Sequence, residues 1–237
     1  MLTDSRAIDR ALQRGQLARL VVCQGQRLSR EENAVIAAAK AKGVRVKTLV
    51  SVAFQREYGP YALVGIQARA RTVALADVVN GLNAQSKLLI LDHIQDPHNM
   101  GALIRSAVSF GFEAVIYAKD RQCPVTDTVV AASAEAIQHI QMCQVTNIAQ
   151  ALQTLRKQQV WLYGTTVDAP ITLTQWQPHT PCGLVMGHEH TGIGPRIQKE
   201  LDACVRIDTP GATASLNVSA AGAIAMHWTW INSQTEA

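Results

Sequence analysis

The sequence predicts an α/β protein in which a parallel sheet, covered by helices on both faces, follows a smaller α/β domain. Apolar runs such as KLLIL (87–91) and CGLVM (182–186) are continuous, as in strands buried on both faces. Helical and strand patterns alternate between these runs, which is typical of parallel sheets. Charge also divides the chain: residues 1–86 hold 13 Lys and Arg against 6 Asp and Glu, a formal +7, whereas residues 87–237 hold 9 against 12, a formal −3.

Residues 1–70 are expected to form the small domain and residues 71–86 a linker containing one or two helical turns. Apolar residues at helical spacing around Ile8 predict a first helix. Ser29 followed by Glu32 is the pattern of a capping box and predicts the start of a second. Short runs rich in β-branched residues predict strands over 17–23, 44–50 and 62–70.

Residues 87–237 are expected to form the larger domain. Continuous or short apolar runs predict strands over 87–91, 114–118, 139–145, 160–164, 182–186 and 204–207. Helical spacing and capping residues predict five helices. They lie over 100–110, between the strand at 114–118 and about residue 136, from 147 onwards, over 195–203 and over 216–230. Ligands of parallel sheets bind beyond the carboxyl ends of the strands, so the loops found there are the candidate site.

Composition excludes several classes of protein. Hydrophobic residues make up 48% and charged residues 17%, which excludes a disordered chain. No apolar run approaches the length of a membrane-spanning helix, and the first ten residues carry charges where a secretory signal needs an apolar block. The five cysteines form no C-x-x-C pair, so neither a zinc ribbon nor a disulfide framework is expected. We therefore expect a cytoplasmic protein.

Two of the loops have compositions suited to binding a ligand. In the first, Asn99 is expected to cap a helix, and Arg105 in its second turn leans back over the helix N-terminus, where anions bind. In the second, Gly187 follows a strand, but no G-x-G-x-x-G dinucleotide pattern is present. The run His188-Glu189-His190 lacks the H-E-x-x-H spacing of a metal site, so no metal is expected.

The third loop turns at Pro210-Gly211, and Ser215-Leu216-Asn217 then leads into an apolar helix. In this order the three loops resemble the signature motifs of the SpoU (TrmH) family of RNA ribose 2′-O-methyltransferases, in the SPOUT superfamily. Residues 96–107 are similar to D-P-x-N-x-G-x-x-x-R-x-A, 187–192 to G-x-E-x-x-G, and 215–219 to S-L-N-V-S. The resemblance covers 87–237 strongly. More loosely, residues 5–70 are similar to the L30e-like substrate-binding domain of several members.

The resemblance implies a C-terminal trefoil knot that holds S-adenosylmethionine. By position, the residues expected to line the cofactor site are Thr165, Gly187, Ile207 and Leu216. The glycine is expected to let the main chain approach the ligand, and the two apolar side chains to sandwich the adenine. Two stretches depart from the family pattern within this region. His188 and His190 replace smaller residues, and the Asp-Thr-Pro of 208–210 replaces a more apolar stretch.

The resemblance also implies methyl transfer to a ribose 2′-hydroxyl, and the small domain favours a guanosine in large-subunit ribosomal RNA. Arg105 is the family's catalytic residue. Because a guanidinium seldom gives up its proton, we expect it to bind phosphate and stabilise the alkoxide instead of acting as a base. Asn99 and Asn217 are expected to orient Arg105 or the ribose, Glu189 to brace the second loop, and Ser215 to bind substrate.

The basic first part is expected to bind RNA through Arg6, Arg10 and Arg14, which recur every four residues and share a helix face. The resemblance further implies a homodimer formed through the helix over 216–230, in which Trp228 and Trp230 cannot both be buried on one face. Three alternatives remain open at this point: a tRNA methyltransferase, a catalytically silent RNA-binding module, and a nucleotide-dependent oxidoreductase.

Overall fold

The computed structural model describes residues 1–13, 17–67, 72–134, 136–189, 191–212 and 215–233. The chain divides into two compact units, residues 1–69 and residues 70–237, each described by itself below. Among the described residues, no helix has the length and apolar character needed to cross a membrane.

The first unit has a three-stranded sheet in which the central strand is parallel to one neighbour and antiparallel to the other. Its elements are α1 (Ser5–Gln13), β1 (Leu17–Cys23), α2 (Arg30–Ala41), β2 (Arg45–Leu49), α3 (Ser51–Tyr58) and β3 (Leu63–Gln67), with the strand order β2-β1-β3. The capping box at Ser29 and Glu32 is present. Helix α3 was not predicted, because Phe54 is its one buried residue and leaves no apolar periodicity to detect.

The second unit has a seven-stranded sheet in which every paired strand is parallel. Its strands are β4 (Lys87–Leu91), β5 (Ala114–Ala118), β6 (Gln141–Val145), β7 (Trp161–Thr165), β8 (Ile171–Thr172), β9 (Cys182–Met186) and β10 (Ala203–Arg206), in the order β6-β5-β4-β9-β7-β10-β8. Its α-helices are α4 (Leu75–Asn80), α5 (Pro97–Ser109), α6 (Asp127–Ala132), α7 (Ile148–Lys157), α8 (Pro195–Gln198) and α9 (Val218–Asn232). The expected parallel α/β architecture is confirmed.

The central strand β4 shows how the sheet is covered. Leu89 and Leu91 lie in a core shared with α5, α6 and α9, whereas Leu88 and Ile90 lie in a core shared with α4, α7 and α8. Because alternate residues of a strand point to opposite faces, a strand covered on both sides needs an apolar residue at every position. The run KLLIL meets that need, and the residues Leu88–Leu91 are almost completely buried.

The segment 71–86 contains α4, as the one or two helical turns expected there, and Val78 of this helix lies in the core of the second unit. One expectation about this unit was wrong in extent. The helix expected over 195–203 is a single turn, α8. It stops because the chain then pairs with β7: the backbone N–H of Asp202 donates to Leu162 O over 2.8 Å, and its carboxylate accepts from Leu162 N over 2.8 Å.

Candidate active site

A cavity of about 490 Å³ opens at the carboxyl ends of β9, β7 and β10, which are neighbours in the sheet. The loops that follow these three strands therefore meet around one space. This is the place where a parallel sheet is expected to bind ligands. The volume lies within the usual range for small-molecule sites, which is roughly 300–1,000 Å³.

All four residues expected at the cofactor site line this cavity: Thr165, Gly187, Ile207 and Leu216. Ser215, expected to bind substrate, also lines it. The Thr165 hydroxyl lies 3.4 Å from the sulfur of Met186, another lining residue. Leu216 is 37% exposed, which places it at the rim of the cavity and not in its depth.

The first loop begins its helix earlier than expected. Helix α5 starts at Pro97, and its N-cap is Asp96, whose carboxylate accepts from the backbone N–H of His98 over 2.8 Å. The expectation that Asn99 caps this helix was wrong. Proline suits the first helical position, and the carboxylate before it already satisfies the free N–H of His98. Asn99 instead lies in the first turn, 8% exposed, with its side chain available for tertiary contacts.

Asn99 links the three loops by side-chain hydrogen bonds. Its Nδ2 donates to Glu189 Oε1 over 3.2 Å, and its Oδ1 accepts from Asn217 Nδ2 over 3.1 Å. Asn217 Oδ1 in turn accepts from the backbone N–H of Ser219 over 2.8 Å and caps α9. One amide thus joins the loop after β4, the loop after β9 and the start of α9.

The second loop folds back on itself next to Gly187. The backbones of His188 and Gly192 exchange two hydrogen bonds of 3.1 and 2.9 Å. A Cβ atom at position 187 would lie 2.3 Å from the carbonyl carbon of Gly192 and 2.5 Å from the nitrogen of Ile193. Glycine is therefore required by the return of its own loop. Contact within the protein imposes this requirement, and the approach of a ligand to the same stretch of main chain stays a prediction.

Arg105 lies outside the set of residues that line the cavity. Its side chain is exposed on α5, and its guanidinium has no hydrogen bond or ion pair with any described residue. Asn99, Glu189 and Asn217 are brought together, whereas Arg105 stands apart from them. An uncommitted guanidinium on the helix that starts at the site is free to bind an anion from solvent.

The positions that depart from the family pattern fall in different places. His188 lines the cavity, and its Nδ1 lies 3.3 Å from the donating backbone N–H of Thr191. Pro210 is exposed and is not a lining residue, although the neighbouring Thr209 is. His190 lies outside the described residues. Within the part of the chain that is described, no three His, Cys, Asp or Glu residues are grouped as metal ligands.

In the first unit, Arg6 and Arg10 are exposed on α1 and line a groove of about 460 Å³. The groove also contains Asp9 and Glu31, so this face carries both signs of charge and is less basic than the arginine spacing suggested. The third arginine expected there, Arg14, lies outside the described residues.

Sequence reasoning missed one wall of the cavity. Thr166, Val167 and Asp168, which follow β7, and Gln198 of α8 are lining residues that no motif marked. The signal available was topological, because a loop after any strand of a parallel sheet is a candidate. Using it requires knowing that β7 lies beside β9, which the order of elements along the chain does not reveal.

Comparison with known sequences identifies a family of RNA-modifying enzymes. The sequence model of the SpoU rRNA Methylase family matches residues 86–227. The 23S rRNA (guanosine-2′-O-)-methyltransferase RlmB of Xylella fastidiosa (strain 9a5c) is 34% identical over 194 residues, covering 79% of this chain and 78% of that protein. The RlmB of Xanthomonas campestris pv. campestris is 37% identical, with the same two coverages.

Solved structures share the fold. The SpoU methyltransferase AviRb from Streptomyces viridochromogenes, solved in complex with AdoMet, has a TM-score of 0.74 at 17% identity and covers 97% of this chain and 88% of its own. An rRNA methyltransferase from Sinorhizobium meliloti has a TM-score of 0.76 at 23% identity, covering 96% of this chain and 85% of its own. With the family match over residues 86–227, these comparisons establish that the chain belongs to the SpoU rRNA methylase family.

Proposed function

We propose that this protein transfers a methyl group from S-adenosylmethionine to the ribose 2′-hydroxyl of a guanosine in large-subunit ribosomal RNA. Family membership supports the reaction class, and the names of the RlmB relatives support the substrate. The observation that carries the proposal is the hydrogen-bonded connection of Asn99, Glu189 and Asn217 beside a cavity of cofactor size.

The residues around the cavity fit S-adenosylmethionine. Among the described lining residues, the acidic side chains are Asp168 and Glu189, and there is no Lys or Arg. Such a wall suits a ligand that carries a sulfonium cation and opposes the phosphates of a dinucleotide. Ile207 and Leu216 supply apolar surface for a purine. The same charge pattern disfavours the nucleotide-dependent oxidoreductase.

When bound, S-adenosylmethionine supplies an electrophilic methyl group on a positively charged sulfur. The chain must then place a ribose oxygen in line with that methyl carbon, so that the O–C bond forms as the S–C bond breaks, the neutral thioether leaves and the hydroxyl proton passes to solvent water. It must also stabilise the negative charge that develops on the oxygen. Arg105 suits this task because its guanidinium is exposed and uncommitted among the described residues. Because a guanidinium seldom gives up its proton, Arg105 is assigned to binding the adjacent RNA phosphate and to stabilising the alkoxide electrostatically.

Asn99, Glu189 and Asn217 hold the three loops in register around the methyl-transfer site. Both polar atoms of the Asn99 side chain are used, one as a donor to a carboxylate and one as an acceptor from an amide. A network of this kind resists rearrangement, because each broken bond leaves a half-buried polar group unpaired. Ser215, which lines the cavity, is proposed to contact the ribose.

The first unit is proposed to be the L30e-like RNA-binding domain. A small sheet flanked by helices, with Arg6 and Arg10 exposed on one helix, supports this assignment. Its proposed role is to bind the RNA phosphate backbone while the second unit catalyses methyl transfer. We place this activity in the cytoplasm, in keeping with the ribosomal substrate named for the relatives.

Two further features of the family are proposed for the second unit. Two features of the chain path support a trefoil knot. Strand β9 lies in the sheet between β4 and β7, which both precede it in the sequence. Helix α9 then returns to pack on α5. A homodimer is supported by the exposed side chains Ile224, Trp230 and Ile231 of α9. His227 and Trp230 also form an aromatic cluster with Phe110, with ring centroids 5.4 to 6.3 Å apart.

The test is transfer of labelled methyl groups from S-adenosylmethionine to RNA from cells that lack this gene. Ribosomal RNA, assembling large subunits and tRNA are supplied separately, and products are digested to nucleosides. We expect label in 2′-O-methylguanosine from the ribosomal samples. Label in tRNA alone would overturn the substrate, and cofactor binding with no label in any sample would favour a silent RNA-binding module.

A further inference from the structure

The arginine at the end of β10 has no role in the function proposed above. Arg206 is the last residue of that strand, and the segment after it forms part of the cavity wall. Ile207 and Thr209 are lining residues, whereas Arg206 and Asp208 are not. Two charged side chains thus alternate along the chain with two residues of the wall.

Arg206 donates hydrogen bonds to two backbone carbonyls in the loop after β7. Its Nη1 lies 2.7 Å from Ala169 O and 3.0 Å from Pro170 O. Both carbonyls belong to the loop over 166–170, which connects β7 to β8. The first three residues of this loop line the cavity, so the arginine holds the end of that wall from outside.

Apolar packing does little to hold this loop. At its start, the backbone N–H of Thr166 donates to Val205 O over 3.1 Å, and at its end the two-residue strand β8 pairs with β10. Between these points Val167 is 70% exposed and Asp168 is also exposed. The position of the wall therefore depends on polar contacts, and a guanidinium that donates to two carbonyls is a strong one because it is charged and planar.

Asp208 binds the same guanidinium on another side. The Nε of Arg206 donates to Asp208 Oδ1 over 3.1 Å. The two side chains are 34% and 58% exposed, so the ion pair by itself adds little stability, but it restricts the directions in which Nη1 can point. Asp208 is one of the positions at which this chain departs from the family pattern, so this contact depends on a residue that the pattern lacks there.

We propose that Arg206, oriented by Asp208, is a positioning residue for cofactor binding, which holds the loop over 166–170 by two carbonyls and so fixes that wall against the segment after β10. The inference rests on the proposed function for the identity of the cofactor. It adds two residues outside the cavity whose removal changes cofactor affinity while leaving the lining side chains intact.

The test compares Arg206→Ala, Arg206→Lys, Asp208→Ala and the double variant Arg206→Ala/Asp208→Ala with a matched control, Arg156→Ala. Arg156 also lies close to carboxylates, with nitrogens 3.9 Å from Glu200 and 3.8 Å from Asp202, but it belongs to α7 and does not line the cavity. Affinity for S-adenosylmethionine is measured by calorimetry, together with KM, kcat and thermal unfolding. The control should leave cofactor affinity unchanged.

We expect Arg206→Ala to raise the dissociation constant and the KM for S-adenosylmethionine by about 10-fold or more, as for loss of charge-assisted hydrogen bonds. Its kcat should change much less. Arg206→Lys keeps the charge but loses the planar geometry, so it should recover part of the affinity. Asp208→Ala should raise the dissociation constant by about 2- to 5-fold, as for loss of an exposed ion pair. The double variant should bind as Arg206→Ala does, because Asp208 acts through Arg206.

Equal cofactor affinity in wild type and folded Arg206→Ala would overturn the inference, as would an equal loss in Arg156→Ala. Additive losses in the double variant would overturn the role of Asp208. NMR order parameters of the Asp168 and Ala169 amides, measured without cofactor, test the loop contact separately. Lower values in Arg206→Ala support the contact, and unchanged values refute it. If wild-type protein binds no S-adenosylmethionine, the proposed function fails, whereas the order parameters still decide whether Arg206 holds the loop.

Discussion

Asn217 Nδ2 donates a hydrogen bond to Asn99 Oδ1 over 3.1 Å, joining two side chains that lie 118 residues apart in the chain. Asn99 lies in the first turn of α5, and Asn217 is the N-cap of α9. The two helices pack against each other: a Cβ atom at Gly222 of α9 would lie 2.3 Å from a methyl carbon of Leu103 in α5. The amide pair therefore sits at the end of a close helix–helix contact, where small displacements would break it.

Asn99→Ala should lower kcat by about 10-fold or more, because Glu189 and Asn217 each lose their shared partner. Stability should fall by about 1–3 kcal/mol, the cost of unpaired buried polar groups. The control is Asn147→Ala, which removes the cap of α7 and costs about 1 kcal/mol. Steady-state kinetics and thermal unfolding separate the two variants. Equal losses of kcat would show that Asn99 affects activity only through stability.

Arg105→Ala should lower kcat by about 10²- to 10³-fold, the usual cost of removing a group that stabilises developing charge. Its stability should stay within about 0.5 kcal/mol of wild type, since the exposed guanidinium has no partner among the described residues. Arg105→Lys keeps the charge but loses the two-pronged geometry, so it should recover only part of the rate.

Arg156→Ala is the matched control for Arg105, because this arginine is exposed near the C-terminal end of α7, on the other face of the sheet. It should leave kcat unchanged. Near-normal turnover by Arg105→Lys would contradict bidentate binding of a phosphate or alkoxide by Arg105.

Gly187→Ala should weaken S-adenosylmethionine binding by at least about 10-fold, because the added Cβ would lie 2.3 Å from the Gly192 backbone and force the loop to move. Gly194→Ala is the control within the same loop. Gly194 has φ −65° and open space around its Cβ position, so alanine is accommodated there. Calorimetric titration should show normal affinity for this control. Normal affinity in Gly187→Ala would mean that the loop tolerates the displacement.

Much of the second unit could be predicted because its strands are buried on both faces and its helices alternate with them. β4, β5 and β9 have the predicted bounds for this reason. Helix α8 was predicted too long, since its sequence keeps helical spacing past Gln198 while a pairing of Asp202 with Leu162 ends it. That pairing spans 40 residues, and local spacing carries no information about it.

The residues that line the cavity were easier to predict than the reasons for them. Thr165, Gly187, Ile207 and Leu216, chosen by their positions in the sequence, all line the cavity, and their contact with the cofactor stays a prediction. The backbone requirement at Gly187 and the connection through Asn99 depend on which loops meet, and that follows only from the strand order.

The double variant Arg6→Ala/Arg10→Ala should show a weaker salt dependence of RNA binding than the wild type. If each arginine contacts one phosphate, the slope of log affinity against log salt should fall by about 1.4 to 1.8 in magnitude. The control pair, Arg156→Ala with Lys157→Ala, removes the same charge from the second unit. Filter binding at several salt concentrations measures both slopes. Identical slopes for the two pairs would show that α1 does not contact the RNA backbone.

Trp230→Glu should convert a dimer to a monomer, because it places a charge in the exposed apolar part of α9, where Trp230 is 38% exposed. Val52→Glu in the first unit is the control, since that side chain is also exposed and apolar but lies on α3. Sedimentation equilibrium gives the mass of each variant. A monomeric wild type, or a dimeric Trp230→Glu, would contradict assembly through α9.

The proposed function requires that the cofactor bind in the cavity at the carboxyl edge and that Arg105 take part in the methylation of ribosomal RNA. The most direct measurement is mass-spectrometric mapping of 2′-O-methyl groups in large-subunit RNA from cells lacking this gene, complemented with wild type or with Arg105→Ala. We predict one 2′-O-methylguanosine that is present with wild type and absent with Arg105→Ala. An identical set of 2′-O-methyl groups in both strains would contradict the claim.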